Sequence, residues 1–309
     1  MVSISFFSLA QTDTKSKIDN LKTESQVENF IKSLDKKNYE NFTISNIQNI
    51  ETRFGENDNY CKKIADSLNI IKSFYKADFD NNGLTDILVI GNYYSFNIFV
   101  IMDFGKNNFK IFRLTRKIFQ DCVVPEIIKK NNETLINYYY KDRPHLRDKE
   151  KIVKKTLIYK FGDFIEYNEN PKKYNIEKIE YQTSMCFGTC PKFNITIDNN
   201  KNATFNAQAF NRKRRKGRKI KGKFKTKIKE KDYNNIIDLL NYIDFPNLKD
   251  NYAVNWTDDQ SCTLTITYNN GKVKKIDDYG LIGTFGLNKL YNIMFGLRFN
   301  QKWKKEKSR

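Results

Sequence analysis

Ser261-Cys-Thr-Leu264-Thr-Ile266-Thr-Tyr268-Asn269-Asn270-Gly271-Lys272-Val-Lys-Lys-Ile276-Asp277-Asp278 decides the fold class of this chain. Leu264, Ile266 and Tyr268 recur at every second position with polar residues between them, the period of a half-buried strand. Asn269-Asn270-Gly271 then supplies the tight turn of a hairpin, and 272–278 reads as the returning strand. An amphipathic helix precedes this hairpin at 231–243, with Tyr233, Ile236, Ile237, Leu240 and Ile243 at helical spacing. A last helix covers roughly 286–297. Further towards the N-terminus, 174–182, 192–198, 203–210 and 218–228 read as strands, with Phe193, Ile195 and Ile197 alternating with polar neighbours. Together these predict an antiparallel sheet covered by two helices.

The first part of the chain has a different order. Residues 25–35 form a helix with Val27, Phe30, Ile31 and Leu34 on one face, and Thr23 with Gln26 has capping-box spacing. A second helix is expected over 59–70. From Lys72 the period becomes that of strands: 72–77, 86–92, 95–103, 109–115, 134–140, 152–160 and 163–167. The joints are short and rich in Gly, Asn and Asp, the pattern of an antiparallel meander. The polar joint Tyr167-Asn-Glu-Asn-Pro171-Lys-Lys is read as the boundary. The expected class is therefore α+β: N-terminal helices and a β-meander in 11–170, a second α+β domain in 171–300, and a basic tail at 301–309.

Inside the meander, Asp78-Phe-Asp80-Asn-Asn82-Gly83-Leu84-Thr-Asp86 carries oxygen ligands at loop positions one, three, five and nine, with glycine at six. That spacing wraps a short loop around a hard cation such as calcium. Position twelve of a helix-loop-helix calcium site should be a bidentate Glu, whereas this chain has Val89 there and strands on both flanks. The loop resembles the calcium-binding loops of FG-GAP-type β-propeller repeats over about a dozen residues. By position, the resemblance implies side-chain ligands from Asp78, Asp80, Asn82 and Asp86 and the main-chain carbonyl of Leu84. The competing reading is a tight Asn-Gly turn with solvated carboxylates.

Five cysteines occur, at 61, 122, 186, 190 and 262, and an odd number cannot pair completely within one chain. Four residues along a straight strand would separate Cys186 and Cys190 by about 13 Å between Cα atoms, beyond disulfide reach. Gly188 and Pro191 permit a bend that closes the gap. A Cys186–Cys190 bridge is thus expected, with Cys190–Cys262 as the alternative pairing. Thiol redox chemistry at Cys186 and Cys190, or two reduced buried thiols, are the other readings. Three cysteines without a histidine in this part do not complete a four-ligand zinc site. The string Met185-Cys186-Phe-Gly-Thr-Cys190-Pro191 resembles the opening motif of the domain-of-unknown-function family 6438 of bacterial envelope proteins. The likeness continues through Phe193-x-Ile195-x-Ile197, Asp244-Phe245, Thr257-Asp258 and Asn270-Gly271-Lys272, over about 172–298. It implies a fold and no reaction.

The net charge is +19, and twelve positive residues lie between Arg212 and Lys229. After a turn containing Arg212, Arg214 and Arg215, the lysines Lys219, Lys221, Lys223, Lys225, Lys227 and Lys229 alternate with Ile220, Gly222, Phe224, Thr226 and Ile228. Alternation places them on one sheet face at intervals of about 6.7 Å. Such a ladder suits a polyanion, whether nucleic acid, acidic polysaccharide or lipid headgroups, and the expected partner is an anionic polymer of the envelope. It equally suits a solvated edge strand protected against aggregation. Phe224 points to the opposite face, so base stacking and specific nucleic-acid recognition are not expected.

Residues 1–10, Met-Val-Ser-Ile-Ser-Phe-Phe-Ser-Leu-Ala, resemble the back half of a secretory signal, which predicts a periplasmic or secreted protein. No run approaches the roughly 20 apolar residues of a membrane-spanning helix. Catalysis is not expected: the only histidine is His145, and no phosphate-cradling glycine loop occurs. The acid pairs Asp258-Asp259 and Asp277-Asp278 would point to opposite faces of a strand. The sequence thus predicts a non-catalytic binding or structural protein of the envelope with a calcium-stabilised loop.

Overall fold

The structure, a computed structural model, describes residues 15–47, 59–93, 96–116, 123–142, 151–213 and 215–306. The expected leader at 1–10, Cys122, His145 and Arg214 lie outside the described residues. The chain forms two compact units that divide between Ile158 and Tyr159. The architecture is α+β and dominated by antiparallel sheets, as the periodicities predict.

In the first unit, helix α1 (Glu24–Leu34) starts at the predicted capping box: Thr23 Oγ1 accepts from the Gln26 N–H and Gln26 Oε1 accepts from the Thr23 N–H. A short helix α2 (Lys36–Tyr39), strand β1 (Thr43–Ile44) and helix α3 (Asn59–Ser67) follow. Strands β2 (Phe74–Ala77), β3 (Asp86–Asn92), β4 (Phe96–Asp103) and β5 (Phe109–Arg113) pair consecutively, and β1 shares with β2 one flank of β3. All of β4, and β3 from Asp86 to Gly91, are buried, which accounts for their nearly unbroken apolar runs. Val27 and Ile31 of α1 pack with Ile18, Phe42, Ile87, Val89, Phe99 and Ile101 in the core.

Strands β6 (Val123–Lys130), β7 (Glu133–Asp142) and β8 (Lys151–Lys160) form a second antiparallel run, so the expected meander is split between β5 and β6. Strand β6 was not expected from the sequence. It contains Pro125, which normally marks a chain segment as unsuited to a ladder, but β6 lies at the rim of its sheet, where a missing donor is tolerated.

The second unit begins with β9 (Asp163–Glu166) and contains β10 (Ile176–Thr183), β11 (Lys192–Asp198), β12 (Asn202–Ala209) and β13 (Gly222–Lys227). Helix α4 (Glu230–Tyr242), strands β14 (Asn251–Ala253), β15 (Ser261–Tyr268) and β16 (Lys272–Tyr279), helix α5 (Phe285–Asn300) and strand β17 (Lys304–Lys305) complete it. The sheet order is β14-β16-β15-β10-β11-β12-β13-β17, antiparallel except for β14 against β16. The predicted hairpin is β15–β16, with Leu264 opposite Ile276.

One face of this sheet is apolar and buried under α5. Tyr291 stacks on Tyr181, Phe295 packs edge-on against Phe193, and Trp303 beyond the helix covers Phe205. Helix α4 meets α5 at Gly286, where a Cβ would stand 2.4 Å from Ile243 Cγ2. Any larger residue would force the helices apart. The opposite face carries the alternate polar positions, including Asn194, Thr196, Thr204 and Asn206.

Candidate functional site

The acidic loop joins β2 to β3 and has both ends fixed by their pairing, Ala77 opposite Asp86. Asn81 (φ 56°) and Gly83 (φ 82°) take left-handed backbone, which turns the chain back on itself. Asp78 accepts from the Asn82 N–H through one oxygen and from the Gly83 N–H through the other. Buried Asp86 accepts from the Phe79 and Asp103 N–H groups at 2.8 and 2.7 Å. One carboxylate oxygen from each of Asp78, Asp80 and Asp86 lies within 4.8 Å of the others.

This gathering has an electrostatic cost. Burial, then the neighbouring Asp80 and Asp78 charges, push the Asp86 carboxyl up to about 7, despite the two N–H groups that favour its charged form. Burial and the Asp78 charge also raise Asp80. Asp80 Oδ1 is enclosed and accepts no hydrogen bond. An enclosed carboxylate oxygen with no donor, beside two more carboxylates, matches the donor chemistry of a hard divalent cation. Asn82 is arranged differently from expectation. Its Nδ2 donates to Asp80 Oδ2 and to the Asp103 carbonyl, while its Oδ1 accepts from the Leu84 N–H.

The cysteine loop lies in the second unit, between β10 and β11. Cys186 and Cys190 are disulfide-bonded with their Cα atoms 5.5 Å apart, against the roughly 13 Å of an extended strand. Gly188, at φ 138°, makes the bend. The Phe187 N–H donates to the Asp258 carbonyl, and Gln260 Nε2 donates to the Ser184 and Pro191 carbonyls, closing the loop base. The alternative Cys190–Cys262 pairing is not formed. Cys262 is a buried free thiol on β15, whereas Cys61 in the first unit is disulfide-bonded.

Sequence reasoning did not find the surroundings of Cys262. Burial and the Asp278 carboxylate push its thiol well above the ordinary range, and the Tyr181 and Tyr291 hydroxyls are enclosed beside it. That environment favours an inert thiol, because the thiolate is the reactive form. The only available signal was the placement of Cys262, Tyr181 and Asp278 on the inward positions of their strands.

The basic segment is fully displayed. All eleven described cations between Arg212 and Lys229 are exposed. Lys223, Lys225 and Lys227 project from one face of β13, while Phe224 turns to the other and stacks on Phe205. Lys219 and Lys221 precede the regular strand, and Lys219 bridges back to Arg212 across the turn. The edge-strand reading is corrected here: β13 pairs with β12 on one side, and β17 covers Phe224 and Lys225 on the other. Lys225 is also ion-paired with Glu306 at 2.5 Å.

A cavity of about 360 Å³ in the second unit is lined by Glu166, Asn168, Tyr242, Asp244 and Thr284. Its acids already have partners. Glu166 accepts from the Phe285 and Gly286 N–H groups at the start of α5, and Asp244 accepts from Tyr174 and Asn247. Burial and this Asp244 contact push the Tyr174 hydroxyl up to about 12.

Residues 177–298 match the model of a family described as Domain of unknown function (DUF6438), in agreement with the resemblance carried by the cysteine motif. The acidic loop lies outside the matched segment. No curated protein and no solved structure matches the chain. Among the described residues, no helix is long and apolar enough to cross a membrane.

Proposed function

We propose that the chain is an exported, non-catalytic binding or structural protein of a bacterial envelope whose first unit is stabilised by calcium in the Asp78–Asp86 loop. The observation that carries the ion assignment is the convergence of Asp78, Asp80 and Asp86 around an enclosed Asp80 oxygen without a donor. Asp78, Asp80 and Asp86 would hold the ion, with the Leu84 carbonyl and, after rotation of its amide, Asn82. A calcium ion there supplies positive charge that offsets the crowding of the carboxylates and ties β2 to β3. Export is supported by the apolar N-terminal segment and its Ser-Leu-Ala site. The disulfides fit the same compartment.

Calcium titration of the purified protein, followed by thermal melting and calorimetry, tests the ion. At ten- to hundredfold excess over Kd, calcium should stabilise the first unit by about 1.4–2.7 kcal/mol. An unchanged melt in excess calcium, with Asp80→Ala behaving like the parent, would end this reading. The N-terminal residue of the mature protein, read from fractionated cells, tests export.

A second reading, binding of an anionic envelope polymer through Arg212, Arg215, Lys219, Lys221, Lys223, Lys225 and Lys227, is favoured by the exposure of these side chains. It requires retention on a soluble polyanion that falls steeply with salt. Replacement of the β13 lysines by Gln should abolish that retention.

A further inference from the structure

Antiparallel pairing brings two segments to the same end of the second unit's sheet. β10 stops at Thr183 and β11 resumes at Lys192, so the cysteine loop lies there. β12 stops at Ala209, directly opposite Lys192, and the basic turn leads from there to Gly222. Neighbouring strands are about 4.8 Å apart, and the two segments are tied at their bases. Asn211 Nδ2 donates to the Lys192 carbonyl at 2.7 Å.

This end has an unusual surface. Among the described residues five large hydrophobic side chains are exposed, and three of them are here: Phe187 at 88%, Met185 at 51% and Phe210 at 43%. Beside them the exposed cations are Arg212, Lys213, Arg215, Lys216, Arg218 and Lys219. Two acids occupy the same end, Asp258 and Asp259. Asp259 is engaged by Trp256 Nε1 and the Gln260 N–H. The balance is strongly positive.

Phe187 contributes no packing to the fold, yet its loop is held by the Cys186–Cys190 bridge and by its own N–H bond to Asp258. A held loop loses little conformational freedom when its tip is buried by a partner. Apolar tips ringed by cations are complementary to one kind of surface, an anionic bilayer, with a negatively charged headgroup layer above an apolar interior. A soluble polyanion would satisfy the cations and leave the three apolar side chains in water. We propose that this end of the second unit docks on an anionic lipid bilayer. Phe187, Met185 and Phe210 enter the boundary between headgroups and acyl chains, and the exposed cations Arg212, Lys213, Arg215, Lys216, Arg218 and Lys219 contact the headgroups. The proposal is independent of the calcium loop.

Co-sedimentation of the full chain with phosphatidylcholine vesicles, with and without roughly one-third phosphatidylglycerol, tests it. The parent should sediment with the anionic vesicles and stay in solution with the neutral ones. Phe187→Ser should weaken binding about tenfold, the loss expected when a phenyl ring no longer leaves water. Its thermal melt should match the parent's, because the ring is exposed; Met185→Ser provides an independent second variant. The emission of Phe187→Trp should be quenched by brominated lipid. A parent that ignores anionic vesicles, or apolar variants that bind them as the parent does, would overturn the proposal. So would binding to soluble dextran sulfate as tight as to vesicles.

Discussion

Asp86 illustrates how a single side chain couples structure to pH. Its carboxyl is raised from the ordinary value near 3.8 to about 7 by burial and by Asp80 and Asp78. Between those values the folded form binds more protons than the unfolded form, so ion-free stability falls as pH rises from about 4 to about 7. Above that range the loss is complete, and below it the loss is absent. Melts in chelator across this range should show the slope. Asp86→Asn should remove it, and calcium should flatten it by stabilising the charged form. Arg298 is a different case: a buried guanidinium on α5 that stacks on Phe193, Phe295 and Phe299 and donates to Asn211. Burial lowers it to about 10. Arg298→Ala should destabilise the second unit by about 3 kcal/mol, through lost packing and lost cation–π contact. Arg298→Lys should recover little, because an ammonium cannot stack on the rings as a plane does.

At the scale of the element, helix α5 depends on what stands at its start. Thr284 Oγ1 accepts from Leu287 N–H, and both Glu166 oxygens accept from Phe285 and Gly286. Glu166→Ala should cost about 1–2 kcal/mol in chemical denaturation, and Glu166→Gln nearly as much, because it keeps one of the two acceptor oxygens, loses the charge and sets an amide NH2 against the other N–H. This cap was not legible in the sequence, since its carboxylate comes from 119 residues away in the chain. What could be read were local, periodic features: the Thr23–Gln26 capping box, the β15–β16 hairpin and the alternation of β11. The cysteine bridge was legible as well, because Gly188 and Pro191 made the bend chemically reasonable. What escaped depended on distant pairing. Strand β6 passed unseen behind Pro125, and the cover of β13 comes from a two-residue strand with no pattern of its own. The carboxylates that gather in the acidic loop were identifiable by spacing, but the Asn82 amide orientation follows from the Asp103 carbonyl beside it.

For the whole molecule, the excess of 19 positive charges is unevenly placed. Much of it stands on β13 and the turn before it, where Lys223, Lys225 and Lys227 share one face with Lys304, the partner of Lys225 across the ladder. Two unit charges at the i,i+2 spacing of about 6.7 Å repel by about 0.6 kcal/mol in water, and 0.15 M salt screens interactions beyond about 8 Å. Glu306 compensates only Lys225, so the second unit folds against its own charge at low salt. Replacing Lys223 and Lys227 by Gln removes the two repulsions that Lys225 meets along its own strand while sparing its ion pair with Glu306. That variant should melt higher than the parent in low salt, by an amount corresponding to about 1 kcal/mol, and the difference should vanish near 1 M salt. Equal melts at low salt would mean that the cations are already compensated within the fold, and the ladder would then have no excess charge to offer an anionic partner.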